Sequence, residues 1–223
     1  MSVSIPILFP SHPVDIMFKT FAWIAASVAI LAPVAHAVET PVHVSASVRQ
    51  VAETRDPADI LRSAIQKYER QDLKGALAEF DELVKLKPDA AIGYASRGNV
   101  RDDLGNPQGA LEDYAKALSL DRQDYGTYFN RGVTYARLEK YSEAIADLKT
   151  AIRLNGDYAS AHRNLGMLKY ISAATKADKE SGIADVIKSA ELYKKQGEET
   201  KAKESDGMAQ QMKQALTETN SRN

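Results

Sequence analysis

Residues 91–158 read AIGYASRGNVRDDLGNPQGALEDYAKALSLDRQD and then YGTYFNRGVTYARLEKYSEAIADLKTAIRLNGDY, two segments of 34 residues that lie over one another slot by slot. Gly98 falls on Gly132, Ala110 on Ala144, Tyr94 on Tyr128 and Ala117 on Ala151. The step continues outward to Ala76 on one side and to His162 and Gly166 on the other. Self-similarity at such a period marks an array of stacked units. Within each segment, apolar and small residues at positions 4, 7, 8 and 11 form one stripe, and those at 20, 21, 24, 27 and 28 form a second. That is the spacing of two amphipathic helices. The small residues at positions 8 and 20 belong where two antiparallel helices cross too closely for a larger side chain. Phe80, Tyr114 and Leu148, four residues after the alanines, fill the space beside them. Leu104-Gly105-Asn106-Pro107 turns the chain, with Asn106 a good N-cap and Pro107 at the first helical position. Pro88 does a similar job before residue 91.

These residues closely resemble the tetratricopeptide-repeat family, whose pattern has Gly at 8, Tyr at 11, Ala at 20, an aromatic at 24, Ala at 27 and Pro at 32. Residues 91–124 supply Gly98, Ala110, Tyr114 and Ala117, and 125–158 supply Gly132, Tyr135, Ala144 and Ala151. Residues 57–90 depart from the pattern with Ala64 and Leu83 but keep Ala76, Phe80 and Pro88. A fourth unit, 159–198, has Gly166 in register and then four extra residues within SAATKADKESG, so its second helix is expected over Gly182–Lys195 with Ser189 in slot 27. A last helix from Glu199 to about Leu216 would cover the end of the stack, as terminal caps do. The resemblance implies an all-α fold: a right-handed superhelical solenoid of about four helix-turn-helix units, 57–90, 91–124, 125–158 and 159–198, with a C-terminal capping helix over 199–223. The wording of Tyr128–Gly132 and Ala144–Leu148 is similar to bacterial members, cyanobacterial ones in particular.

The resemblance also implies a concave face lined by the first helix of each unit and a protein or peptide client held there. Carried over slot by slot, the partner-binding residues are Leu61, Ile65 and Tyr68, then Asn99, Asp102 and Asp103, then Asn130, Val133 and Arg137, and last Arg163, Met167 and Tyr170. An apolar end, an acidic step and basic residues beyond it suit an extended or helical segment that mixes apolar and charged side chains. Members that clamp a chaperone's C-terminal carboxylate need cations in slots where this chain has Ala95, Ser160 and Asn164, so that recognition is disfavoured although Asn99 and Asn130 fit.

Composition excludes more than it proposes. The 223 residues are 44% hydrophobic and 26% charged with a formal net charge of -1, which leaves no electrostatic footprint for nucleic acid. Zero cysteines remove disulfides, thiolate metal sites and a cysteine nucleophile. There is no glycine-rich phosphate loop, no nucleophile elbow and no histidine pair at metal spacing, and His162 sits in an aromatic packing slot. No catalytic residue, metal, cofactor or small-molecule substrate is therefore expected.

The N-terminus carries the compartment. Residues 21–35, FAWIAASVAILAPVA, follow Lys19 and precede Ala35-His36-Ala37, the layout of a signal peptide cleaved after Ala37. Residues 1–16 fit a signal n-region poorly, which makes Met17 the expected start. The alternative is an uncleaved anchor over residues 20–38, close to the roughly 20 residues that span a bilayer. Residues 38–56 read as a polar linker containing His43. The expected protein is an exported scaffold or assembly factor of the periplasm or thylakoid lumen. The alternative function is a structural subunit that self-associates within an exported or membrane-attached complex.

Overall fold

A computed structural model describes residues 55–220, in which every element is an α-helix. The signal segment, the anchor alternative and most of the linker lie outside the described residues. Among those that are described, no helix is long and apolar enough to cross a membrane. The described chain forms two compact units, residues 55–88 and 89–220.

The first unit is a hairpin of α1 (Pro57–Glu69) and α2 (Leu73–Leu86). Asp56 caps α1 by accepting from the Ala58 amide at 2.9 Å, with Pro57 at the first helical position. Asp72 caps α2 through the Gly75 amide at 2.9 Å. Ile60, Ala64 and Tyr68 of α1 and Ala76, Phe80 and Leu83 of α2 are buried where the helices pack. Their steps of three and four put each set on one face.

The second unit holds α3 (Ala91–Asp103), α4 (Pro107–Leu120), α5 (Tyr125–Arg137), α6 (Tyr141–Leu154), α7 (Ala159–Ile171), α8 (Lys176–Lys195) and α9 (Glu199–Asn220). Helices α3 and α4, α5 and α6, and α7 and α8 pair as hairpins; α4 packs on α5, α6 on α7, and α9 on α8. The first helices also meet along the stack, α3 with α5 and α5 with α7. Asn106 caps α4 through the Gly109 amide at 3.0 Å, with Pro107 at its start.

The crossings are tight where the repeat places its small residues. A Cβ on Gly98 would lie 2.7 Å from Tyr114 Cε1 and 3.3 Å from the Ala110 carbonyl. On Gly132 it would meet Leu148 Cγ at 3.2 Å and the Ala144 carbonyl at 3.3 Å. In the fourth hairpin glycine faces glycine: a Cβ on either Gly166 or Gly182 would sit 2.5 Å from the other's carbonyl oxygen. The hairpin turns share a left-handed residue at the same 34-residue step, Gln71 (φ 63°), Gly105 (φ 78°) and Glu139 (φ 58°).

One boundary differs from expectation. Helix α8 starts at Lys176, not Gly182, and runs for 20 residues. Thr175 and Asp178 form a reciprocal capping box, the Asp178 amide donating to Thr175 Oγ1 at 3.1 Å, so the extra residues extend the helix at its N-terminus. Helix α9 has 22 residues and continues past Leu216. Its Ala202, Ser205, Ala209, Met212 and Leu216 are buried at alternating steps of three and four, while Lys203, Glu204, Gln210, Gln211 and Gln214 are exposed. The polar outer face ends the stack.

Candidate protein-binding faces

An acid at slot 23 of every unit ties the second helix of a hairpin to the first. In residues 55–88, Glu79 accepts from Lys67 Nζ at 2.5 Å and Ser63 Oγ at 3.1 Å, and pairs with Arg55 at 2.8 Å. Burial pushes the Glu79 carboxyl up, but these donors outweigh it and hold it below the ordinary value. In α3/α4, the Arg97 guanidinium grips Asp113 in a two-bond fork at 2.9 and 2.6 Å, and Arg101 adds a contact at 3.0 Å. In α5/α6, Arg131 repeats the fork on Asp147 at 2.7 and 2.8 Å, which raises the guanidinium further above its ordinary value. In α7/α8, Lys169 Nζ lies 2.6 Å from Asp185. Sequence reasoning passed over these four acids, although their spacing is readable there.

The same forks put cations on tyrosine rings. Arg97 lies over Tyr94 at 5.5 Å, and Arg131 over Tyr128 at 5.6 Å. These side chains are committed to the hairpins.

A polar row joins the first helices α3 and α5. Asn99 Oδ1 accepts from the Tyr114 hydroxyl and from Asn130 Nδ2, both at 2.9 Å. Further along, Thr134 Oγ1 donates to Asp102 Oδ2 at 3.0 Å, and Arg137 forms an ion pair with Asp102 Oδ1. Burial raises the Asp102 carboxyl above its ordinary value, with Asp103 adding to the rise and Arg137 and Thr134 opposing it. Asn99, Asp102, Asn130 and Arg137, expected on one face from their slots, are thus brought together, and Val133 sits half-buried beside them. The expected separation into an acidic step and a basic region does not hold here, because Asp102 and Arg137 neutralise each other. Asp103 is half-buried on α3.

The other expected residues divide. Leu61 and Ile65 are half-buried on α1, whereas Tyr68 is 2% exposed and belongs to the interior. On α7, the expectation of an open lining fails, because α9 covers it. Met167 is buried, and Tyr170 packs with Ile183, Val186, Met212 and Leu216 while its hydroxyl donates to the Met212 carbonyl at 3.0 Å. Arg163 is folded against Tyr193, its guanidinium 5.8 Å from the ring and 3.4 Å from Glu204 of α9. The cap rests on slots of α7 whose equivalents Ile65, Val133 and Asp102 are half-buried in the preceding units, while Tyr68, Asn99 and Ala136 are buried there.

Comparisons with known proteins agree with this architecture. Family models described as tetratricopeptide repeat match residues 61–125 and 126–158. Neutrophil cytosol factor 2 of Mus musculus is 36% identical over 100 residues, covering 44% of this chain and 18% of that protein. The DnaJ homolog subfamily C member 7 homolog of Schizosaccharomyces pombe is 28% identical over 170 residues, 66% of this chain and 36% of that one. The chain therefore spans about a fifth to a third of the length of these curated relatives. The crystal structure of YrrB, described as a TPR protein with an unusual peptide-binding site, aligns with a TM-score of 0.55 at 18% identity, covering 79% of this chain and 97% of that one. At that identity the likeness is one of fold. With the 34-residue step, the paired helices and the glycine crossings, these matches identify residues 61–158 as tetratricopeptide repeats.

Proposed function

We propose that the chain is a non-catalytic interaction scaffold or assembly factor that grips a segment of a protein client on the face of α3 and α5. One observation carries this reading: Asn99, Asn130, Asp102, Thr134 and Arg137 form a cross-helix polar row with Val133 beside it, set in place before any ligand arrives. Preorganised side chains on rigid helices reduce the ordering cost of binding. The client favoured by this face is a segment with alternating polar and apolar side chains, because the charges of Asp102 and Arg137 are already paired. YrrB, with its unusual peptide-binding site on the same fold, supports a peptide ligand by analogy.

The self-associating alternative is less favoured, since the described outward side of α9 carries the exposed polar residues Lys203, Glu204, Gln210, Gln211 and Gln214. The N-terminal segment adds the compartment. Cleavage after Ala37 would deliver the protein to a periplasm or thylakoid lumen, and retention of residues 20–38 would anchor it. N-terminal sequencing of the exported form should begin at Val38; a first residue of Met1 or Met17 would rule cleavage out.

Affinity capture with the purified chain, read by mass spectrometry, tests the binding face. A client recovered by the parent should be lost with Val133→Glu while circular dichroism stays unchanged. Equal recovery by the variant would move the site elsewhere.

A further inference from the structure

The chain leaves its 34-residue template at two places, and the two meet. Helix α8 gains its first turns, and α9, at 22 residues, outruns the 13-residue first helices of the preceding units. The seam between them is a groove of about 460 Å³. Ile183, Ala184, Ile187 and Leu216 form its floor, with Lys176 and Glu180 of α8 and Lys213 and Thr217 of α9 on its walls. Ile183 and Leu216 belong to the cluster that holds α7, α8 and α9 together, so the floor is rigid and continuous with the core. Ala184 is exposed and Ile187 only half-buried.

The chemistry of this seam selects its occupant. Its floor is alkyl, and the backbone groups of α8 and α9 at mid-helix are bonded within their own helices. An extended peptide laid there would bury amides without partners, whereas a helix brings its backbone bonds with it. The lining of α8 runs from Lys176 to Ile187, about 17 Å of helix, which accommodates an apolar stripe at i, i+4 and i+7. The walls supply the charge preference. Lys176 lies 3.7 Å from Glu180, while Lys213 has no ion partner among the described residues. The lining therefore carries one net positive charge, at Lys213.

We propose that the α8–α9 groove docks an amphipathic helix of a partner protein, its apolar stripe flanked by acidic residues. This site uses different helices from the α3–α5 face and stands or falls separately from it.

The test titrates the full chain with two synthetic fluorescein-labelled peptides, each with leucines at i, i+4 and i+7, one flanked by glutamates and the other by lysines. Fluorescence anisotropy should saturate with the glutamate peptide, the lysine peptide binding about tenfold or more weakly because like charges would face each other. Hydrogen-exchange protection should concentrate at residues 176–187 and 213–217. Ala184→Glu, which fills the floor with a charge, and Lys213→Glu should each weaken the glutamate peptide with helicity unchanged, while Val133→Glu leaves it as it was. The proposal is overturned by equal binding of the two peptides, by protection elsewhere, or by indifference to Ala184→Glu and Lys213→Glu. Self-association of the chain that Ala184→Glu abolishes would also overturn it and make a second copy the occupant.

Discussion

The hairpins over residues 91–158 and the last hairpin with its cap, residues 159–220, use one rule to different ends. In the former, a glycine of the first helix faces a side chain and an alanine carbonyl of the second, as Gly132 faces Leu148 and Ala144. In the latter, Gly166 and Gly182 bring two backbones together with no side chain between them. The regular hairpins carry a polar row on α3 and α5 in which Asn99 and Thr134 are buried while Asn130, Asp102 and Arg137 keep partial exposure, whereas α9 packs on Tyr170 in the corresponding stretch of α7. A repeat slot therefore specifies which side a residue faces. The neighbour that follows decides whether that side stays open.

The largest expected contrast is at the crossings. Gly166→Leu must push backbone against backbone and should destabilise residues 159–220 by more than about 3 kcal/mol, the upper end of overpacking costs. Gly132→Leu meets a leucine side chain that can shift, and should cost about 1–3 kcal/mol. Denaturant unfolding of both variants checks the order; equal losses would mean that the glycine pair is not the tighter crossing.

Next come the slot-23 acids. Asp147→Asn removes a forked, charge-assisted contact from a buried carboxylate and should cost about 1.5–3 kcal/mol. Asp185→Asn weakens the contact to Lys169 and the longer one to His162, has no fork to lose, and should cost about 1 kcal/mol. Thermal melts of the two variants rank them, and a larger loss at Asp185 would reverse the comparison.

A smaller effect distinguishes the regions by the sign of their pH dependence. Burial pushes Asp185 up, but the facing His162 and Lys169 outweigh it and hold its carboxyl below the ordinary 3.8. Its contribution is therefore present above that value and lost as pH falls through the lower folded one. Asp102 sits above 3.8, so its contribution is greatest below that value and is lost as pH rises through the higher folded one. At pH 7, Asp185→Asn should be less stable than the parent, with the gap closing on acidification. Asp102→Asn should gain on the parent as pH rises above 3.8 through the higher folded value of Asp102. Urea midpoints from pH 3 to pH 7 would show parallel curves if neither carboxyl is displaced.

Much of the fold was legible because its steric demands recur. The 34-residue step of Gly98, Gly132 and Gly166 against Ala110 and Ala144 located the hairpins, and Asn106-Pro107 marked a helix start that the chain uses. The early start of α8 is not legible, because Lys176–Ser181 is polar apart from Ala177, exposed apart from half-buried Lys179, and shows no apolar stripe, although Thr175 and Asp178 have the spacing of a capping box. The candidate site was legible as slots but not as contacts. Asp102 and Arg137 belong to different units, and only the rotation between α3 and α5 brings them together as an ion pair. Tyr170 looked like a lining residue because the cap's resting place depends on where Met212 and Leu216 land, which no period encodes.

The central claim is that a client lies on the α3–α5 face, and photo-crosslinking in the full chain tests it most directly. A benzophenone side chain placed at position 133 on α5 should capture one defined partner, while the same group at position 112, exposed on α4, should capture none. A partner caught from position 112 and absent from position 133 would contradict the account.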